Sequence, residues 1–196
     1  MTNEIYGIDY LRRRLADKQT RVLLRYKYYE MKNNAQDFSS LAPEKFKGLK
    51  ETVGWCAKAV DSLADRLQFD EFQNDEFDLS EIFLSNNQDI LIDSAVLSAL
   101  ISACSFVYIR EDNGYPRLQV IDGSNATGII DPVTNLLTEG YAVLERDSMG
   151  VVKTEAYFMV GMTEIYSHGV LVQRIPNAAP YALLVPIIYR PDAKRP

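Results

Sequence analysis

Residues Phe46–Leu67 read FKGLKETVGWCAKAVDSLADRL, and the period of this stretch decides the predicted fold of the N-terminal half. Its apolar residues recur at alternating spacings of three and four, at Phe46, Leu49, Val53, Cys56, Val60, Leu63 and Leu67. This spacing places them along one side of an α-helix, because the two-residue alternation of a strand cannot produce it. We therefore expect one helix over 46–67, with these seven residues and Trp55 in the structural core.

Further helices are predicted on both sides of this one. Apolar residues at helical spacings predict one helix, or two short ones, over 8–32. The aromatic and acidic segment 68–78 is predicted to hold a strand and a loop, and 79–86 one or two helical turns. Residues 90–104 are apolar almost all round, which predicts a helix buried on most sides. Small residues mark where another backbone approaches it, in a stripe made of Ser94, Ser98 and Ser102.

After Cys104 the apolar period becomes that of β-strands. The pair Asn113-Gly114 predicts a tight hairpin, because both residues tolerate positive φ. The strand-like runs are Ser105–Arg110, Tyr115–Asp122, Gly128–Ile130, Leu137–Arg146, Val151–Val160, Glu164–Tyr166, Val170–Ile175 and Val185–Arg190. Alternation in Val151–Val160 puts Ala156 and Phe158 on an apolar face and Lys153 and Glu155 on the outward face. The predicted fold class is α+β, with a helical region 1–104 packed on an antiparallel β meander 105–196.

Composition narrows the class of protein. A chain of 196 residues with 47% hydrophobic and 24% charged residues is typical of a globular protein with a real core. It contains no apolar run of about 18 residues, so no transmembrane helix and no membrane partner are expected. Met1–Glu4 show no basic segment followed by an apolar one, so a secretory signal is not expected. Cys56 and Cys104 are expected to be buried free thiols in a reducing compartment.

Charge is distributed unevenly along the chain. Residues 1–32 hold eight Lys or Arg and four acids, whereas residues 33–90 hold five basic and twelve acidic residues. A solvated helix face would explain the basic segment, but two opposite patches could also meet between neighbouring copies. The candidate subunit-interface residues are Arg12, Arg13, Arg14, Arg21 and Arg25 on one side, and Asp70, Glu71, Asp75 and Glu76 on the other.

No catalytic, cofactor or metal site is predicted, and we do not expect an enzyme. The single histidine, His168, lies in a Ser-His-Gly turn without a Gly-x-Ser-x-Gly motif, and no glycine-rich phosphate loop is present. The acidic run over 70–81 suggests a metal site as an alternative, and a metal-dependent nuclease would use that site. It lacks the glycine of an EF-hand loop, and carboxylate runs are usually solvated.

Four segments, taken in order, resemble the N-terminal part of portal proteins of tailed bacteriophages and prophages. They are Arg25–Glu30, rich in tyrosine; Trp55–Leu67, the most specific; Ile82–Asn87 leading through the apolar helix to Ser105–Ile109; and Pro116–Asp122 with Val185–Arg190. The chain departs from the family at two places that usually hold glycine. Met31 follows Tyr-Tyr-Glu, and Ala103-Cys104 precede the strand at 105.

The resemblance implies a structural virion protein that forms a homo-oligomeric ring, usually twelve-fold, at one capsid vertex. Such a ring conducts viral DNA during packaging and ejection and supports head–tail joining. This chain would correspond to most of the outer wing, and capsid and scaffold proteins are the implied partners. Terminase and DNA would be contacted by parts of a longer parent, assembled in the bacterial cytoplasm. A protein-binding adaptor of the phage head, using the β meander, is the alternative.

Overall fold

The computed structural model describes residues 5–32 and 54–190. Within these ranges, helices occupy the N-terminal half and strands the C-terminal half, which confirms the predicted α+β class. The helices are α1 (Ile8–Tyr29), α2 (Trp55–Ala64), α3 (Leu79–Ser85) and α4 (Gln88–Ser102). The strands are β1 (Cys104–Asp112), β2 (Tyr115–Asp122), β3 (Ala126–Ile130), β4 (Leu137–Arg146), β5 (Val152–Met159), β6 (Met162–Ser167), β7 (Val170–Pro176) and β8 (Leu184–Ile188).

The strands form two antiparallel sheets, not one continuous meander. Strands β3 to β7 pair in chain order as a five-stranded sheet, and the other three pair in the order β2-β1-β8. The predicted hairpin between β1 and β2 is confirmed, because Asn113 and Gly114 both have positive φ, 53° and 79°. The second sheet exists because β8 returns to pair with β1, with Phe106 opposite Pro186. Local strand signals do not reveal such a return.

The five-stranded sheet is covered on both faces, and this arrangement creates two cores. On one face, Phe106 and Leu184 of the three-stranded sheet pack against Leu137 and Phe158. On the other face lies α1, whose Leu11 and Leu15 are packed with three sheet residues, Tyr141, Val143 and Tyr157. The prediction that Glu155 faces outward is therefore wrong. Glu155 is buried, because α1 covers the face to which it points.

Helix α4 fills the space between α1 and the three-stranded sheet, as its apolar composition predicted. Its serine stripe lies where other elements come close. The Tyr26 hydroxyl and Ser98 Oγ are 2.8 Å apart, and Arg25 of α1 donates to the carbonyl of Ser102 at 2.9 Å. From the sheet, Ser105 Oγ donates to the carbonyl of Ala95 at 2.7 Å. The small serines thus hold three elements together through short polar contacts.

Two predictions in the N-terminal half are wrong. The segment 68–78, all of which is described, contains turns and irregular backbone but no strand. Its Phe69 and Phe72 stack with Phe83 of α3, with ring centroids 4.8–5.8 Å apart, so the aromatic residues support a helix. The cysteines also differ from expectation, since Cys56 is exposed and Cys104 is half-buried at the start of β1. No helix in the described ranges is long and apolar enough to cross a bilayer.

Candidate interaction surface

The apolar residues predicted to share one side of a helix over 46–67 are called the seam below, and those that are described lie largely at the surface. Phe46, Leu49 and Val53 fall outside the described residues. Of the rest, Trp55 is 80% exposed, Leu63 46% and Leu67 57%; Cys56 is also exposed and Val60 is half-buried. The prediction that Trp55, Cys56, Leu63 and Leu67 belong to the core is therefore wrong. The predicted C-terminal end is also too late, because α2 ends at Ala64 and Leu67 follows in a turn.

Small side chains explain why the seam is not the buried face. Ala64 is buried and Ala57 half-buried, and these two residues lie on the side of α2 that approaches its neighbours. Each residue turns a helix by about 100°, so the side chains of Leu63 and Ala64 point in clearly different directions. The alanines allow close approach to α4 and α1, and Tyr29 Oη donates to Asp61 at 2.8 Å. The larger residues of the seam therefore lie beside this contact and not within it.

The five predicted basic interface residues divide into two groups. Arg12 and Arg25 are used within the molecule. Arg12 donates to Glu155 and forms an ion pair with Asp9 at 2.8 Å, and Arg25 binds the Ser102 carbonyl. Arg13, Arg14 and Arg21 are exposed, and none of the ion pairs among the described residues joins them to the acidic segment. These three arginines remain candidates for a contact with another copy.

The four acidic candidates also divide. Asp75 accepts hydrogen bonds from the backbone amides of Leu79 and Ser80, both at 2.7 Å, and so caps the start of α3. The hydrogen bond from Ser80 lowers the pKa of Asp75. Asp70, Glu71 and Glu76 are exposed and lie on the same acidic segment, where Phe77 is 77% exposed. Asp75 is thus a structural residue, and the other three carboxylates are accessible to a partner.

A second exposed stripe runs along α1 and was not predicted from the sequence. Its members are spaced four and three residues apart, and all six are exposed: Tyr10, Arg14, Asp17, Arg21, Leu24 and Tyr28. Its three large apolar side chains are 43–48% exposed and lie at the two ends of the stripe, with the charged residues between them. The spacing is visible in the sequence, but the stripe includes arginines and an aspartate, so the apolar pattern alone does not identify it.

Buried carboxylates hold α1 on the sheet, and no sequence signal indicated them. Glu139 of β4 accepts hydrogen bonds from the backbone amides of Tyr6 at 2.8 Å and Gly7 at 2.9 Å, and from Tyr157 Oη at 2.6 Å. Glu155 of β5 accepts from Arg12 and from Tyr141 Oη. Glu139 and Glu155 are 5% and 4% exposed, so their partners replace the water that a carboxylate needs.

The tyrosines of this layer resist ionisation. Burial, and then the hydrogen bond to Glu155, raises the pKa of Tyr141 well above its usual range, and Tyr157 beside Glu139 has a pKa raised in the same way. Burial and the nearby Glu164 raise the pKa of Tyr166 to about 12. These shifts mark a polar layer that secures the first helix.

The residues considered for chemistry lie apart from one another. His168 is exposed in the turn between β6 and β7, with its Nδ1 3.1 Å from Ser167 Oγ. Among residues 5–32 and 54–190, no group of three or more His, Cys, Asp or Glu side chains is placed to hold a metal ion. The acidic run 70–81 belongs to that described part.

Two residues adopt a backbone conformation that favours glycine. Met31 has φ 58° just after α1, and Ala103 has φ 74° between α4 and β1. An L-residue pays a steric cost in this left-handed region, which glycine avoids.

No protein-family model matches this chain, and no curated protein is significantly similar to it.

Proposed function

We propose that this chain is a structural subunit, the outer wing of the portal ring of a tailed bacteriophage or prophage. The observation that carries the proposal is a pair of exposed surfaces of opposite charge. One is on α1, where Arg14 and Arg21 lie among exposed apolar side chains, and the other is on α2 and the acidic segment that follows it, where Leu63, Asp70 and Glu71 are exposed. A subunit of a closed ring needs two different surfaces that fit each other, one for each neighbour.

The backbone at Met31 and Ala103 supports the resemblance on which the proposal also rests. The family usually has glycine after Tyr-Tyr-Glu and just before the strand at 105, where this chain has Met31 and Ala103-Cys104. Met31 and Ala103 both have positive φ, a backbone conformation that favours glycine. The tyrosine-rich end of α1 and the Trp55–Leu67 segment, two of the four segments that carry the resemblance, meet through Tyr29 and Asp61.

In this proposal the chain acts by holding shape and binding other subunits, not by catalysis. Its partners are further copies in a ring, usually twelve-fold, and capsid and scaffold proteins that contact the outside of the ring. Terminase and viral DNA contact other parts of the parent protein. The ring assembles in the bacterial cytoplasm and remains in the virion, where it conducts DNA and joins the head to the tail.

The test is the assembly state of the longest reading frame that contains this chain. We expect mass photometry to show one discrete high-mass species, and negative-stain electron microscopy to show rings with a central channel. An amber mutation in the gene should give heads without packaged DNA in the corresponding phage. A protein that stays monomeric, or stops at a two-fold dimer, contradicts the proposal.

A protein-binding adaptor of the phage head is the second candidate, and the free edge of β7 favours it. The two covered faces of the five-stranded sheet do not extend to β7, which ends the sheet and has six of its seven residues exposed, with Val170 and Val172 at least 60% exposed. An edge strand of this kind can pair with an extended segment of another protein. A monomer that binds assembled phage heads, and loses binding with Val172→Lys, supports the adaptor over the ring.

A further inference from the structure

The exposed stripe of α1 and the exposed seam of α2 match in period. The stripe Tyr10-Arg14-Asp17-Arg21-Leu24-Tyr28 and the described seam Cys56-Val60-Leu63-Leu67 both advance by alternating steps of three and four residues. Helical faces with this spacing pack by fitting the side chains of one helix between those of the other. Cys56, Val60 and Leu63 lie within α2 and Leu67 just beyond its end, so the α1 stripe can pack against the seam over about two helical turns.

The two surfaces also carry opposite charge. Residues 8–29 contain seven basic and two acidic side chains, whereas residues 54–78 contain seven acidic and two basic ones. Arg14 and Arg21 lie within the α1 stripe, and Asp65, Asp70 and Glu71 follow the α2 seam, all of them exposed. Complementary charge favours association between the two surfaces and opposes pairing of either surface with its own kind.

Within one copy, α1 and α2 already meet through other residues. Tyr29 reaches Asp61, and the alanine side of α2 faces the interior. Leu24 and Tyr28 on α1, and Leu63 and Leu67 on α2, remain 46–57% exposed despite this contact. Among the described residues, the contact between α1 and α2 therefore leaves these four side chains accessible to another molecule.

We infer that the α1 stripe of one copy binds the α2 seam of the next copy, with Arg14 and Arg21 facing Asp65, Asp70 and Glu71. The contact is heterologous, so each copy has one free stripe and one free seam until the ring closes. This inference rests on the proposed function and names the surfaces that would carry it.

The experiment uses two charge-reversed forms of the ring-forming protein. One carries Arg14→Glu with Arg21→Glu, and the other carries Asp65→Lys, Asp70→Lys and Glu71→Lys. We expect each form alone to need at least about tenfold more protein for half-assembly, since like charges brought together cost several kcal/mol. An equimolar mixture should assemble again, because every junction then joins opposite charges in an alternating ring.

The matched control is Arg110→Glu, a reversal of an exposed charge on β1, which should leave assembly unchanged. Thermal melts of each form establish that the reversed proteins fold. Wild-type rings that are insensitive to both reversals, or a mixture that fails although both forms fold, overturn this interface and leave the proposed function intact. Absence of wild-type rings overturns the proposed function itself.

Discussion

At the scale of single residues, Glu139 is the residue on which the attachment of α1 depends most directly. Its carboxylate binds two backbone amides that precede or begin the helix, which has no side-chain cap of its own. It also accepts the Tyr157 hydroxyl, so three donors converge on one buried group. Removing one acceptor therefore leaves buried donors without partners, and this costs more than the average hydrogen bond contributes.

We predict that Glu139→Gln lowers the free energy of unfolding by about 1–3 kcal/mol, because the amide group presents a donor to groups that are themselves donors. Urea unfolding followed by circular dichroism measures the change. The control is Glu145→Gln on the same strand, where the carboxylate meets Lys153 and Thr154 in an exposed position. That variant should unfold like the wild type. Equal midpoints for Glu139→Gln and the wild type contradict the assigned role.

At the scale of elements, the turn between α3 and α4 is fastened to the edge of the three-stranded sheet. The side-chain amide of Asn86 donates to the Pro116 carbonyl and accepts from the Leu118 amide, both at 3.0 Å. This pair imitates the contacts of a neighbouring strand, so part of the β2 edge is protected from pairing with other chains. Arg117 adds a bond to the Ser85 carbonyl at 2.9 Å.

Asn86→Ala should free this turn without unfolding the sheet. We predict a loss of about 1–3 kcal/mol in unfolding free energy, because two partly buried backbone groups lose their partner. Hydrogen exchange at the Leu118 amide should accelerate, while exchange at Val107 in the centre of the sheet stays slow. Gln119→Ala, an exposed neighbour on β2, is the control. Unchanged exchange at Leu118 in Asn86→Ala would show that the turn is held by other contacts.

Helices and hairpins that depend on a local residue pattern could be predicted from the sequence, whereas the elements that pack against them could not. Helix α4 and the Asn113-Gly114 hairpin depend on a continuous apolar run and on two residues that accept positive φ, so both were predicted. The period of 46–67 identified residues that share a side of a helix, but it carries no information on where α1 and α4 lie. The prediction that Glu155 faces outward is wrong for a related reason, since alternation cannot show that a distant helix covers the second face of a sheet.

The interaction surface was predicted only in part. Arg13, Arg14, Arg21, Asp70, Glu71 and Glu76 are exposed, as an interface requires, and their pairing stays a prediction. Arg12 and Asp75 have partners inside the molecule, because Glu155 and the start of α3 arrive close to them only in the folded chain. Composition alone cannot separate a charge that binds its own molecule from one that is free for another.

At the scale of the whole molecule, the raised pKa values of several tyrosines make the folded protein less stable at alkaline pH. Tyr29 and Tyr166 have pKa values raised to about 12, and burial raises the pKa of Tyr141 and Tyr157 further still. Tyrosine in the unfolded chain ionises near pH 10. Above that pH the unfolded chain loses protons that the folded chain keeps, so ionisation favours unfolding.

We therefore predict that stability holds up to about pH 10 and then falls as the pH approaches about 12. Urea midpoints across this range, with tyrosinate absorbance as a second signal, measure the effect. Tyr157→Phe should be less stable overall but show a shallower decline, because one titrating group is gone. A wild-type midpoint that does not change between about pH 9 and about pH 11.5 contradicts the assignment.

The hydrogen bond from Tyr6 to Glu139 joins residues that are 133 positions apart in the sequence, so its two partners leave the ribosome at different times. At translation rates of about 5–20 residues per second, α1 emerges on the order of ten seconds before the strand that anchors it. Its Leu11 and Leu15 have no sheet to cover them during that interval. Helix α1 is thus made well before it can be packed, and on a crowded polysome it could meet a nascent sister chain first.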